Sequence, residues 1–136
     1  MRSRLAVVAL AVSGCLPIPH MDQHAPAIDG LLMSGQEPLA GAVVQRAVNP
    51  SDPHAACASA PEQTRTDSQG RFHFDRQASF SFFVVMGDRQ DRWHLCVVAP
   101  DGTVFSWSDW GMWGGPEHIR VRCTTSESQL QCMPDR

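Results

Sequence analysis

Cysteine is the residue type in this chain with the clearest chemistry, and its five copies fall into two groups. Cys15 follows a short apolar run near the start, whereas the other four lie in the body of the chain, at Cys57, Cys96, Cys123 and Cys132. A zinc site needs ligands at a spacing such as C-x₂-C, and the sequence contains no such pair. An even number of cysteines in an exported domain is typical of a disulfide framework. We therefore predict two disulfides, and neither a metal nor a cofactor.

The four body cysteines allow three pairings, and a predicted hairpin favours one of them. The runs "HIRVRC" and "LQCMP" have the alternation of two strands around the turn "SESQ". With residues 127–128 at the tip, Cys123 lies directly opposite Cys132, which leaves Cys57 to pair with Cys96. From the loss of loop entropy in the unfolded chain, the longer disulfide should stabilise the fold by about 4 kcal/mol and the hairpin disulfide by about 3 kcal/mol.

Histidine is the next residue type that can do chemistry at neutral pH. His73 lies between Phe72 and Phe74, so strand alternation places it on the solvent side if the phenylalanines are in the core. His94 lies in a second strand-like run. The sequence contains no "G-x-S-x-G" elbow, phosphate-binding loop or dinucleotide fingerprint. We therefore predict that the chain is not an enzyme, with a small-molecule hydrolase that uses His73 or His94 as the alternative.

Tryptophan supplies the strongest binding signal. In "FSWSDWGMWGGPEH", Trp107, Trp110 and Trp113 recur at every third position, and tryptophan is enriched at binding hot spots. The glycines of this stretch predict a loop after Trp107. Two interpretations remain open: the rings cap the open end of the fold, or they form an exposed patch for a protein or glycan partner. The candidate binding residues are Trp107, Asp109, Trp110, Met112 and Trp113.

The start of the chain predicts an export signal. Arg2 and Arg4 precede the apolar run "LAVVALAV", the pattern of a secretory signal peptide, and this run is too short for a membrane-spanning helix. The following "VSGC" resembles the bacterial lipobox, in which the cysteine receives the lipid. The resemblance implies cleavage of a signal helix at residues 1–14, a diacylglycerol thioether on Cys15 and an acylated new N-terminus. An ordinary signal peptide with an incidental cysteine is the alternative.

A lipoprotein of this kind is held at the membrane by its acyl chains, since two or more chains anchor stably. Position 16 is Leu16, not the aspartate that resembles an inner-membrane retention signal in enteric bacteria. We therefore predict a location in the bacterial cell envelope, on the periplasmic face of the outer membrane. Loss of Arg2 and Arg4 changes the formal net charge from −3 to −5. An acidic chain without a basic cluster argues against a nucleic-acid partner.

Short strands must position these residues. Residues 15–26 contain three prolines and no periodicity, which predicts a tether. Residues 27–136 alternate strand-like runs with turn signals such as "DSQG" and "PDG", and no stretch has a helical stripe. This pattern predicts a single all-β domain, an antiparallel sandwich or barrel. The predicted core residues are Phe72, Phe74, Trp93, Leu95 and Val97.

Two stretches, "IDGLLMSGQEPLAGAVV" and "TRTDSQGRFHF", resemble the carboxypeptidase regulatory-like, or transthyretin-like, family. The resemblance covers residues 28–75 and implies a transthyretin-like (prealbumin-like) antiparallel β-sandwich of about seven to eight short strands. The family includes a hydrolase of 5-hydroxyisourate whose C-terminal signature contains a tyrosine, and this chain has no tyrosine. The matching positions combine turn and core residues: Gly30, Gly35, Pro38, Leu39, Gly41, Ala42, Val44, Thr66, Asp67, Gly70, Phe72 and Phe74.

Two functions from different classes follow. The first is a non-catalytic binding or scaffolding lipoprotein of the cell envelope, because a tethered domain without a catalytic constellation acts by contact. The second is the small-molecule hydrolase of the transthyretin-like family. The positions of His73 and His94 discriminate between them: one concave pocket that also holds a carboxylate favours the hydrolase, and flat open faces favour the binding protein.

Overall fold

The computed structural model describes residues 18–58, 60–83 and 87–135. The predicted signal peptide and Cys15 lie outside these residues. The described part of the chain is all-β, and it contains no helix long and apolar enough to cross a membrane. Its elements are β1 (His20–Ala25), β2 (Ala27–Ser34), β3 (Glu37–Pro38), β4 (Val43–Val48), a 3₁₀ helix (Pro53–Ala58), β5 (Glu62–Arg65), β6 (Arg71–Phe74), β7 (Gln77–Ser81), β8 (Gln90–Val98), β9 (Val104–Met112), β10 (His118–Ser126) and β11 (Gln129–Pro134).

Two larger sheets and one small ribbon organise the strands. The four-stranded sheet has the order β5-β4-β8-β9, and all of its pairs are antiparallel. The five-stranded sheet has the order β11-β10-β2-β3, and β6 also pairs with β2. β1 and β7 form a separate antiparallel two-stranded ribbon. β9 therefore lies at an edge of its sheet, where one side of its backbone is left without a strand partner among the described residues.

One pairing departs from the predicted antiparallel arrangement. β2 and β10 run parallel, from the pair Ala27 and His118 to the pair Ser34 and Thr125. Parallel neighbours need a long connection, and most of the other strands lie between these two along the chain. No local turn signal reports the direction of such a pair, so the sequence pattern could not reveal it.

Inward side chains of the two larger sheets form one core. Phe72 and Phe74 of β6 face Trp93, Leu95 and Val97 of β8, and all five are buried as predicted. The same alternation buries further apolar residues from both sheets: Ile28, Leu32, Val44, Phe105, Val121, Cys123 and Leu130. Because the core takes every second residue of each strand, the residues between them are directed outward.

The turn before β6 shows why "TDSQG" folds as it does. Asp67 Oδ1 accepts hydrogen bonds from the backbone N–H groups of Gln69, at 2.8 Å, and Arg71, at 2.9 Å. Gly70 has a φ of 75°, in the left-handed region that favours glycine. A Cβ at Gly70 would also collide with the carbonyl oxygen of Leu32. The turn therefore requires both the aspartate and the glycine.

Several elements differ from the sequence predictions. The predicted tether at residues 15–26 contains β1, because the backbone of His20–Ala25 pairs with β7 instead of running free. β7 begins at Gln77, three residues before the apolar run "FSFFVVM", and ends at Ser81. β3 and β5 were not predicted, since both are short and polar and neither shows a clear alternation.

The structure contains two disulfides, Cys57–Cys96 and Cys123–Cys132. The second joins residues directly opposite each other in the β10–β11 hairpin, whose last pair, Ser126 with Gln129, leaves two residues at the tip. The first fastens the 3₁₀ helix to β8, with 5.4 Å between the two Cα atoms. It thereby holds the 3₁₀ helix against the outer face of the four-stranded sheet.

Candidate binding surface

The tryptophan-rich segment is a strand along most of its length. β9 pairs with β8 over nine consecutive residues, from Val104 to Met112, so the predicted loop after Trp107 is wrong. Alternation directs Phe105 into the core and packs Trp107 against the core's edge. Trp110 and Met112 point the opposite way and are 53% and 38% exposed.

The glycines of this segment serve Trp93, not a loop. Trp93 is fully buried, and a Cβ at Gly115 would lie only 2.8 Å from its ring. A Cβ at Gly111 would lie 3.2 Å from the same ring and closer still to the backbone of Gly115. Gly111 and Gly115 thus leave space for the buried indole of Trp93 and for the turn after β9. A sequence pattern alone cannot distinguish glycines with this role from glycines that form a loop.

The turn after β9 holds Trp113 in an unusual conformation. Its φ is 55°, in the left-handed region that bulky residues rarely adopt, and Gly114 and Gly115 follow with φ of 83° and 73°. The backbone N–H of Trp113 donates to the carbonyl oxygen of Arg89 at 2.9 Å. The Arg89 guanidinium lies 5.4 Å from the centre of the Trp113 ring, within the range of a cation–π contact. Unfavourable backbone conformations of this kind cluster at functional sites.

A cleft of about 310 Å³ lies beside Trp110 on the outer face of the four-stranded sheet. Trp110 and Arg92 are directly opposite each other across β8 and β9, so an aromatic ring and a guanidinium stand side by side at its wall. We call this site the Trp110 cleft. Its lining combines rings, amides and charges: Asn49, Pro50, Pro53, Gln90, Arg92, His94 and Trp110.

His94 lies in the lining of the Trp110 cleft. Burial lowers the pKa of its imidazole, and the nearby positive charge of Arg92 lowers it further. The ring is therefore neutral at pH 7. Its Nε2 is buried and has no hydrogen-bond partner among the described residues. A buried polar atom without a partner is uncommon in native structures.

The five predicted binding residues do not form one surface. Trp110 and Met112 lie on the outer face of β9, and Trp113 lies in the following turn. Trp107 and Asp109 instead line a separate cavity of about 190 Å³ between β9 and the β10–β11 hairpin. The period of three that links the tryptophans in sequence does not match the strand period of two, so their rings alternate between faces.

A second cluster, which the sequence reasoning missed, lies on the outer face of the five-stranded sheet. Asp29 lies between two imidazoles: its Oδ1 is 2.6 Å from His73 Nδ1, and its Oδ2 is 2.7 Å from His118 Nε2. His73 Nε2 lies 3.1 Å from Asp75 Oδ1. His73 and Asp29 also line a hollow of about 490 Å³. His94 takes no part, since it belongs to the other sheet.

The central position of β2 in its sheet brings this cluster together. Asp29 of β2 lies directly opposite His73 in the antiparallel β2–β6 pair, and the parallel β2–β10 pair adds His118 from the other side. The solvent side of His73 was predicted, but Asp29 and His118 come from distant parts of the chain. Among the described residues, no group of three or more histidine, cysteine or acidic side chains has the geometry to hold a metal ion.

The contact between Asp29 and His73 shifts both pKa values. Hydrogen bonding to Asp29, and then to Asp75, raises the pKa of His73 above its ordinary 6.5. Hydrogen bonding to His73, helped by His118, lowers the pKa of Asp29 below its ordinary 3.8. The histidine's contribution to stability is complete below pH 6.5 and is lost as the pH rises through its folded-state pKa. The aspartate's contribution is present above pH 3.8 and is lost as the pH falls through its folded-state pKa.

We expect His73→Gln to lower the melting temperature most between about pH 4 and 6.5, the window in which both groups are charged. The effect should be small, because both side chains are half exposed and solvent screens the pair. It should shrink further above the folded-state pKa of His73. Thermal unfolding at pH 5 and pH 9 measures the difference. His54→Gln, at an exposed histidine on the 3₁₀ helix, is the matched control, and an equal pH dependence in both variants would refute the pairing.

No family model and no curated protein matches this chain. The chain is similar in structure to the crystal structure of (S)-allantoin synthase, with a TM-score of 0.45 and 10% sequence identity. The match covers 85% of this chain and 46% of that one, so the chain spans about half the length of the synthase. The sequence pattern predicted that this chain is not an enzyme. The structural neighbour is an enzyme, which contradicts that prediction, and we withdraw it.

Proposed function

We propose that this protein is a lipid-anchored binding protein of the bacterial cell envelope, tethered through Cys15 to the periplasmic face of the outer membrane. The basic start, the apolar run and "VSGC" support the anchor. Two disulfides in one small domain suit an oxidising compartment such as the periplasm.

We further propose a transthyretin-like sandwich of the carboxypeptidase regulatory-like type for the described domain. The shared core of the two larger sheets supports this proposal. So do the turn residues of the resemblance, because Gly35, Gly41 and Gly70 all have positive φ. Thr66 Oγ1 accepts a hydrogen bond from the backbone N–H of Ala42 at 2.9 Å, which links the two turns in which the resemblance is strongest.

The observation that carries the binding function is the Trp110 cleft. Tryptophan offers a large contact area at small entropic cost, and a half-exposed ring beside a guanidinium is typical of binding hot spots. Gln90 and Arg92 add hydrogen-bond donors at the cleft, while the Trp110 ring offers a flat apolar face. This combination fits a protein or glycan partner, which stacks on the ring and accepts hydrogen bonds from its surroundings.

Trp110→Ala should weaken partner binding by about 1 to 4 kcal/mol while it changes the free energy of unfolding by less than about 1 kcal/mol. The matched control is Ser108→Ala, two residues away on the same face of β9. Both variants are compared with the wild type in capture from detergent-solubilised envelopes and in binding to soluble peptidoglycan fragments. Equal retention by Trp110→Ala and the wild type in both assays contradicts the proposal, as does a stability loss of 3 kcal/mol or more, which would make Trp110 a structural residue.

The lipid anchor is tested separately. Mass spectrometry of the mature N-terminal peptide should find Cys15 as the first residue with its acyl groups. Cys15→Ser should leave an unlipidated precursor that no longer partitions into detergent. A mature N-terminus at another residue, or unchanged partitioning of the variant, contradicts lipidation.

The Asp29 cluster supports a second candidate function, hydrolysis of a small molecule. His73, with both ring nitrogens near carboxylates and a raised pKa, is suited to donate a proton as a general acid. Arg71 lines the same hollow and can hold an anionic substrate. A panel of small esters and cyclic amides tests this candidate: turnover that falls at least 100-fold in His73→Gln supports it, and turnover equal to that of His54→Gln contradicts it.

A further inference from the structure

The β1–β7 ribbon carries an exposed apolar patch that the proposed function does not use. Met21, Phe80, Phe82 and Phe83 are 62%, 58%, 54% and 67% exposed, and we call these four residues the ribbon patch. Met21 and Phe80 are directly opposite each other across the two strands, so both side chains lie on one face. The rings of Phe80 and Phe82 meet edge to face, with 4.8 Å between their centres. Met21, Phe80 and Phe82 are therefore continuous across the ribbon, and the exposed Phe83 follows Phe82 in the chain.

The composition of the ribbon patch suits a lipid surface. Residues 77–83 carry no charged side chain, so this run has no charge that would be costly to bring to an apolar boundary. Met21 and Phe80 lie on the hydrogen-bonded ribbon, whose backbone groups between the strands stay paired, and Phe82 and Phe83 follow directly after the end of β7. Exposed aromatic and aliphatic side chains of this kind are what peripheral proteins insert at the headgroup–acyl boundary.

The ribbon is fixed to the domain by its other contacts. Asp22 lies 3.3 Å from Arg89, and Gln23 Nε2 donates to the carbonyl oxygen of Pro116 at 2.8 Å. His24 lies 3.7 Å from the buried carboxylate of Asp91. Arg89 directly precedes β8, Asp91 lies in β8, and Pro116 follows β9. Because β8 and β9 also form the wall of the Trp110 cleft, the ribbon patch keeps a set orientation relative to that cleft.

The position of the ribbon patch along the chain indicates which surface it contacts. Ile18 is also exposed, and it lies only three residues after Cys15. Three extended residues span at most ~11 Å, so a lipid on Cys15 brings the bilayer surface within reach of the ribbon. We propose that the ribbon patch inserts into the surface of the membrane that holds the Cys15 anchor. This inference rests on the proposed lipidation, and it gives the domain a defined orientation on the membrane instead of free rotation about its tether.

Bromine-labelled lipids test the insertion in the complete, lipidated protein. Phe82→Trp places a reporter in the ribbon patch, and Phe83→Trp is a second reporter. Val104→Trp is the matched control, because Val104 is equally exposed but lies at the far end of β9, ~26 Å along the strand from Met112. Each protein is reconstituted in phosphatidylethanolamine–phosphatidylglycerol vesicles with and without bromine on the acyl chains near the headgroup. The emission of the unsubstituted protein is subtracted.

We expect bromine to quench at least half of the added emission of Phe82→Trp and of Phe83→Trp, and to leave that of Val104→Trp unchanged. Mass spectrometry of the same samples reports the lipid on Cys15. A lipidated protein in which neither ribbon reporter is quenched, or in which the control is quenched equally, overturns the insertion and leaves the proposed anchor standing. A protein without the lipid overturns both.

Discussion

Arg46→Ala should lower the free energy of unfolding by about 3 kcal/mol, because it removes a buried side chain together with its hydrogen bonds and its pairing with Glu62. Arg46 is 0% exposed, and its guanidinium binds both carboxylate oxygens of Glu62, at 2.6 and 3.0 Å. It also donates to the carbonyl oxygens of Pro26, at 2.8 Å, and Asp75, at 2.6 Å, and it lies 4.9 Å from the centre of the Phe74 ring. The substitution leaves the buried carbonyl oxygen of Pro26 without this donor, while Glu62, whose side chain is 35% exposed, loses its partner at the edge of the interior.

Denaturant unfolding of three variants measures this effect. Arg46→Lys keeps the charge but cannot reproduce the planar fork, so it should lie between wild type and Arg46→Ala. Arg65→Ala is the control, since Arg65 is exposed and, among the described residues, donates only to the carbonyl of Gly41, and it should cost less than about 1 kcal/mol. A loss below 1 kcal/mol in Arg46→Ala would contradict the assigned role.

Removal of the Cys57–Cys96 disulfide by Cys57→Ala and Cys96→Ala should cost about 4 kcal/mol, because the link closes a long loop in the unfolded chain. The two cysteines are 39 residues apart in sequence, and Cys96 is fully buried. The same change should also weaken partner binding, since the disulfide holds the 3₁₀ helix whose Pro53 lines the Trp110 cleft.

The second disulfide is the natural control. Cys123→Ala with Cys132→Ala opens a link of only nine residues and should cost about 3 kcal/mol. It should leave partner binding intact, because the β10–β11 hairpin does not line the Trp110 cleft. Thermal unfolding and the capture assay, run on both double variants, separate stability from binding. Equal binding loss in the two would show that the effect is general destabilisation.

Local sequence patterns predicted much of the fold because strands and hairpins are local. Alternation identified the buried Phe72 and Phe74 of β6, and the register of the β10–β11 hairpin set Cys123 opposite Cys132. The parallel β2–β10 pair was not predicted, since no short turn joins its two strands and most of the other strands lie between them along the chain. The burial of Arg46 was not predicted either. Alternation with Val44 directs Arg46 inward, but the hydrogen-bond partners that make its burial tolerable come from distant segments.

The candidate site was only partly predictable for the same reason. Tryptophan content indicated β9, yet the cleft beside Trp110 needs Arg92 from β8 and Pro53 from the 3₁₀ helix. Glycine content suggested a loop, because no pattern shows that Gly111 and Gly115 make room for the buried Trp93. The site depends on which residues meet across strands, and composition along one strand does not contain that information.

Photo-crosslinking in the intact cell envelope tests the binding claim most directly. A photoreactive phenylalanine analogue at Trp110 reports on the Trp110 cleft, and the same analogue at Val104 samples an exposed apolar position at the other end of β9. Irradiation should give a discrete adduct from position 110, and mass spectrometry of that adduct distinguishes a protein partner from a glycan. Position 104 should give none. No adduct at position 110, or the same adducts from both positions, would contradict a partner bound at the Trp110 cleft.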